Sequence, residues 1–128
     1  MTHIIDTNIA IHLRDREPVI SAKAASLVGP VYLSVVSRVE LEGGVYSERA
    51  DVAVRRLRLD EILDLVPIIP FDGAAADAYR RIVEALGYSR RKVLDRMIAA
   101  QALVHRATLV TCNGDDFREV PGLQLLEW

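Results

Sequence analysis

The chain begins with a short apolar run, His3-Ile4-Ile5, that stops on Asp6-Thr7-Asn8. Ile9, Ala10 and Leu13 follow at once with helical spacing. A run this short with a helical pattern directly behind it reads as a buried strand feeding a helix. In open α/β sheets, ligands sit outside the carboxyl ends of the strands. Asp6 stands at such an end. A carboxylate held beside an apolar core is costly unless something pairs with it, so Asp6 requires a partner from elsewhere in the chain.

The alternation of strand and helix continues. Glu17-Pro18 marks a helix start, with proline at the first helical position. Ile20, Ala24, Leu27 and Val28 fall on one face before Gly29-Pro30 stops that helix. Val31–Val36 is a second β-type run. A helix is expected from near Ser37, through Val39 and Leu41, to about Gly43-Gly44 or slightly beyond. Another is expected from about Asp51 to Leu65, with Leu59, Ile62, Leu63 and Val66 on one side and Arg55, Arg56 and Arg58 on the other. Val66–Pro70 is a short strand bracketed by prolines, which places it at or near a sheet edge. Asp72 suits an N-cap for a helix whose stripe is Ala75, Tyr79, Ile82, Val83 and Leu86, ending at Gly87. The helix from about Leu94 to Arg106 is small and apolar (Met97, Ile98, Ala99, Ala100, Ala102, Leu103), which allows close packing. Thr108–Thr111 and Leu123–Leu126 are the last strands. This order argues an α/β fold: a single three-layer α/β/α domain over residues 1–128, with a short parallel sheet of four or five strands.

Composition narrows the function classes. Hydrophobic residues make up 51% of the chain, yet no apolar run approaches the length of a membrane span. The N-terminus lacks a basic segment followed by a long apolar stretch, so no signal peptide is expected. A lone cysteine, Cys112, excludes an internal disulfide and fits a reducing cytoplasm. A net charge of −2 argues against a strongly basic nucleic-acid surface. Two bound divalent cations would invert that sign, with the change concentrated at one place. The basic residues are nearly all arginine, with Lys23 and Lys92 the only lysines.

Four acids fall at element ends rather than on helix faces: Asp6 after the first strand, Glu40 early in the helix after the second, Asp95 at the start of the small-residue helix, and Asp116 just past Thr108–Thr111. Each has a local explanation. Asp6 suits a helix cap. Ser37-Arg38-Val39-Glu40 matches a capping box. Asp95 complements a helix dipole. Asp116, in Asn113-Gly114-Asp115-Asp116, suits a turn. Four carboxylates converging on one sheet edge would, however, repel strongly and could not all stay ionised without a cation. Carboxylate and water oxygens are what Mg²⁺ or Mn²⁺ prefer.

Asp6-Thr7-Asn8, Ser37-x-x-Glu40-Leu41, Asp95-x-x-Ile98-Ala99-Ala100-x-Ala102-Leu103 and Thr111-x-Asn113-x-x-Asp116-Phe117 occur in that order along nearly the whole length. The ordered set resembles the PIN-domain nucleases and, within them, the VapC-type toxins of toxin–antitoxin pairs. The resemblance implies Mg²⁺- or Mn²⁺-dependent RNA cleavage by Asp6, Glu40, Asp95 and Asp116, acting as metal-binding and catalytic acids. It also implies a homodimer and a small antitoxin that blocks the site. Glu42 and Asp115 lie close enough to Glu40 and Asp116 to compete for those positions. The stretch Tyr88–Leu94 departs from the family by being shorter and more basic.

Around the acids, Thr7, Asn8 and Asn113 either orient carboxylates or shape caps and turns. Arg90, Arg91 and Lys92 either hold an RNA backbone or form a solvated surface. His3, His12 and His105 lack zinc-ligand spacing, and Trp128 reads as a terminal packing residue. Three rival functions are weaker. A response-regulator receiver needs an acidic pair after the first strand and a late lysine at a strand end, and neither is present. A haloacid-dehalogenase-type phosphatase needs an aspartate where Asn8 stands. A noncatalytic binding module leaves the four acids without a purpose.

Overall fold

The computed structural model describes residues 1–128. The elements alternate as the sequence indicates: β1 (His3–Ile5), α1 (Thr7–Arg14), α2 (Pro18–Ala25), β2 (Val31–Ser34), α3 (Val35–Tyr46), α4 (Val52–Leu65), β3 (Ile68–Ile69), α5 (Gly73–Leu86), α6 (Val93–Val104), β4 (Thr108–Thr111) and β5 (Gln124–Glu127). The five strands form one sheet in the order β3-β2-β1-β4-β5, and every pairing is parallel. The proline-bracketed strand lies at the edge.

Alternation along β1 divides the core between the two faces of the sheet. Ile4 packs with Ile82 of α5, with Ile98, Ala99 and Ala102 of α6, and with Phe117. Ile5 packs with Ile9 of α1, with Leu41 and Val45 of α3, and with Leu59 of α4. Removing each of the larger of these side chains from water stabilises the fold by about 2 kcal/mol. The alanines of α6 are fully buried, so the helix lies close to the sheet and brings its N-terminus up to the strand ends.

The direction in which strands are added to the sheet reverses beside β1. The strands β1, β2 and β3 run outward on one side, and β4 begins again on the other. Such a switch point opens a crevice at the carboxyl ends of the flanking strands. Ile5 is level with Leu33 of β2 and Val110 of β4, so Asp6 and Thr111 leave the sheet side by side.

Several boundaries differ from the sequence expectation: β3 keeps only Ile68–Ile69 of the run Val66–Pro70, β5 lies one residue later at Gln124–Glu127, and α6 ends at Val104 rather than near Arg106. The helix expected to reach Gly29 stops at Ala25, leaving Leu27 half-buried and Val28 exposed. The strand expected to reach Val36 ends at Ser34, and α3 begins at Val35 rather than near Ser37. Val35-Val36 favours β structure locally. The Ser34 hydroxyl overrides that preference by accepting the Val36 amide at 3.0 Å, which caps the helix. Gln101, fully buried in α6, fixes this cap. Its carbonyl oxygen accepts the Ser34 hydroxyl, and its amide donates to the Ile69 and Pro70 carbonyls at 3.1 Å.

Candidate active site

The crevice at the switch point is a cleft of about 230 Å³ lined by Asp6, Thr7, Asn8, Ile11, Glu40, Asp95, Asn113 and Asp116. All four acids singled out in the sequence share it. They arrive from four separate segments: the end of β1, the middle of α3, the first turn of α6, and a single 3₁₀ turn, Gly114–Asp116, that follows β4.

Asp6 is the buried member of the set. Its Oδ1 accepts the Thr7 amide and its Oδ2 accepts the Thr111 hydroxyl, both at 2.8 Å. Asp6 therefore caps α1 and also faces the cleft, so its two readings are compatible. Burial raises its carboxyl above the usual range; the bonds from Thr111 and Thr7 oppose this, and the Asp116 charge adds to it. Asp95, half-buried, is pushed up to about 6, first by burial and then by the charges of Asp6, Asp116 and Glu40. Such mutual repulsion is what a shared cation relieves.

Glu40 does not belong to a capping box. Ser37 lies inside α3, buried, and Ser34 caps the helix instead. Glu40 is exposed on the cleft rim. The Thr7 hydroxyl donates to its Oε1 at 2.7 Å and lies 2.8 Å from the Ser37 hydroxyl. Glu42 and Asp115 do not take part in the cleft. Glu42 is paired with Arg56 through 3.0 and 2.9 Å bonds, and Asp115 is exposed and paired with Arg118. In contrast, none of the four cleft acids makes an ion pair with any basic side chain.

Two supporting residues take roles that the sequence reading did not give them. Thr111 is a hub: its hydroxyl donates to Asp6 and accepts the Asn113 amide at 3.0 Å. Ser37 backs Thr7. Thr111 and Ser37 stand in the quoted motifs, but only the paired geometry assigns them work. The Asn8 side chain faces β4 as well as the cleft; its Oδ1 accepts the Cys112 amide at 3.3 Å. Of the basic run, Arg90 and Arg91 are exposed without ionic partners, whereas Lys92 is committed to Glu119 at 2.6 Å. As the side chains stand, no three of them close tightly enough to enclose an ion. A larger cleft, of about 500 Å³, lies elsewhere. Two of its three arginines are occupied, Arg14 by Asp15 and Arg55 by the Val45 and Glu48 carbonyls, while Arg58 makes no ion pair; its lining does not converge carboxylates as the switch-point cleft does.

Comparison with known proteins assigns the chain to a family. The PIN domain family model matches residues 3–123. Ribonuclease VapC1 of Rickettsia felis is 33% identical over 130 residues, covering 96% of this chain and 93% of that protein. The tRNA(fMet)-specific endonuclease VapC of Shigella flexneri is 30% identical over 129 residues, covering 98% and 96%. Among solved structures, VapBC2 from Rickettsia felis bound to a DNA fragment from their promoter superposes with a TM-score of 0.87 at 26% identity, covering 100% of this chain and 99% of that one. The chain therefore belongs to the PIN domain family, where its relatives are VapC ribonucleases of toxin–antitoxin systems.

Proposed function

We propose that the protein is an endoribonuclease toxin that cleaves RNA with Mg²⁺ or Mn²⁺ bound by Asp6, Asp95 and Asp116, with Glu40 assisting. The observation that carries this reading is a cleft with four carboxylates and no basic counterpart. The donor set fits a hard cation, and Mg²⁺ commonly uses one or two carboxylates and keeps several waters, so an open cleft suits it better than a closed cage. When bound, such an ion supplies acidity to water and neutralises charge on the phosphodiester. Asp6 is held in one orientation by Thr7 and Thr111. Glu40, steadied at one oxygen by Thr7, keeps its other oxygen free of protein donors and is placed to accept a proton. Arg90 and Arg91, free and exposed beside α6, are suited to an RNA backbone; Lys92, tied to Glu119, is not.

A small antitoxin is the proposed regulator, as in the toxin–antitoxin complexes that this fold resembles. Both α2 and α4 pack on α1 and leave Val19, Val54, Leu57 and Leu65 exposed. That apolar surface suits an amphipathic partner helix. A basic side chain from the partner would complement the acidic cleft. A homodimer and a cytoplasmic location complete the proposal. No helix is long and apolar enough to cross a membrane.

The test is cleavage of single-stranded RNA with and without EDTA. Activity should disappear in EDTA, return with Mn²⁺ or Mg²⁺, and be absent in Asp6→Asn. Cleavage that persists in EDTA and in the variant would contradict the reading.

A further inference from the structure

Asp95 and Asp116 reach the cleft from segments distant in sequence, and one ionic cluster ties those segments together. Lys92 Nζ donates to Glu119 Oε1 at 2.6 Å, and Arg96 Nη2 lies 3.5 Å from the same oxygen. Lys92 and Arg96 flank Asp95 on either side, and Glu119 sits just beyond Asp116 on the same loop. No other ion pair joins α6 or its leading turn to that loop. Arg96 is buried at 4% exposure. Its Nη1 donates to the Gly87 carbonyl at 2.7 Å, and its Nε has no partner. A buried guanidinium with an orphan N–H is a poor source of stability, so its placement calls for another reason.

We propose that Lys92, Glu119 and Arg96 are positioning residues that set the spacing of Asp95 and Asp116 for a divalent cation. This inference rests on the metal-dependent reading above. Arg96 fixes the first turn of α6 against the end of α5, and Glu119 draws the Asp116 loop toward the same point. None of the three lines the cleft, so they act through the aspartates rather than on RNA.

Calorimetric titration with Mn²⁺ separates positioning from a general field effect. Glu119→Gln removes a negative charge near the site, and Lys92→Met removes a positive one. A field effect alone moves the two affinities in opposite directions, because a cation is drawn to the more negative site. Positioning weakens both, by about 10-fold, the lower end for lost outer partners of metal ligands, while the KM for RNA stays unchanged. Asp115→Asn removes the same charge from a side chain that is 88% exposed and outside the cluster, and should bind Mn²⁺ as the wild type does. If Lys92→Met fails to fold, weakened binding in Glu119→Gln beside unchanged Asp115→Asn carries the same conclusion. Opposite shifts, or variants that match wild type, overturn the positioning role alone. A wild-type protein that takes up no Mn²⁺ overturns the metal reading and this inference with it.

Discussion

Asp95→Asn should make the metal-free protein more stable at neutral pH, although it removes a residue proposed to be essential for cleavage. The Asp95 carboxyl is raised from 3.8 to about 6 by burial and by the surrounding acids. At about 1.4 kcal/mol per pH unit, that rise corresponds to about 3 kcal/mol for a fully buried group. Asp95 is only half-buried, and solvent screening reduces the figure to about 1 kcal/mol. The direction follows from linkage. A carboxyl whose folded value is raised binds its proton more tightly when folded, so its contribution is fully present below 3.8 and is lost as pH climbs through about 6. Above a pH of about 6 the ionised Asp95 therefore weakens the metal-free fold, and asparagine relieves it. Urea denaturation in EDTA, from pH 4 to 8, should show the variant more stable by about 1 kcal/mol at pH 7.5, with the two curves converging near pH 4. Added Mn²⁺ should raise the stability of the wild type and not that of the variant. A variant equal to or less stable than wild type at pH 7.5 would refute the claim that these carboxylates crowd one another.

Further outcomes follow from the same geometry. Glu40→Gln should change stability by less than about 0.5 kcal/mol, because the residue is exposed and caps nothing, while turnover falls; unfolding curves and initial rates check this together. Gln101→Met should cost about 2–3 kcal/mol in denaturant titration, since it strands the Ile69 and Pro70 carbonyls and frees the Ser34 cap. Expression of the protein alone should slow growth, and co-expression with a small antitoxin, if one is encoded beside it, should relieve it. Equal growth effects from wild type and Asp6→Asn would argue for a housekeeping RNA-processing nuclease of the same fold.

Much of the architecture was legible because strand and helix periods differ so plainly along this chain. Ile4-Ile5 and Val31–Leu33 read as buried strands, and Pro67 and Pro70 pointed β3 to the edge it occupies. The errors lie where local propensity and capping compete. Val35-Val36 looks like strand until the Ser34 hydroxyl, held by Gln101, starts a helix there. That shift also removed the capping-box reading of Glu40, which a sequence pattern alone could not distinguish from a cleft acid. Convergence of Asp6, Glu40, Asp95 and Asp116 was an inference from strand ends, and the parallel register supplies its physical basis. Thr111, Ser37 and the Lys92–Glu119–Arg96 cluster were not legible, because their roles arise from pairings between residues far apart in sequence.

The central claim is that these four acids hold a divalent cation at the switch point of the sheet. Anomalous scattering from crystals soaked in Mn²⁺ tests it most directly. The account predicts a peak in the cleft within coordinating distance of Asp6, Asp95 or Asp116, and no peak there in Asp6→Asn. Binding of Mn²⁺ only at other sites, or a cleft peak undiminished in the variant, would contradict it.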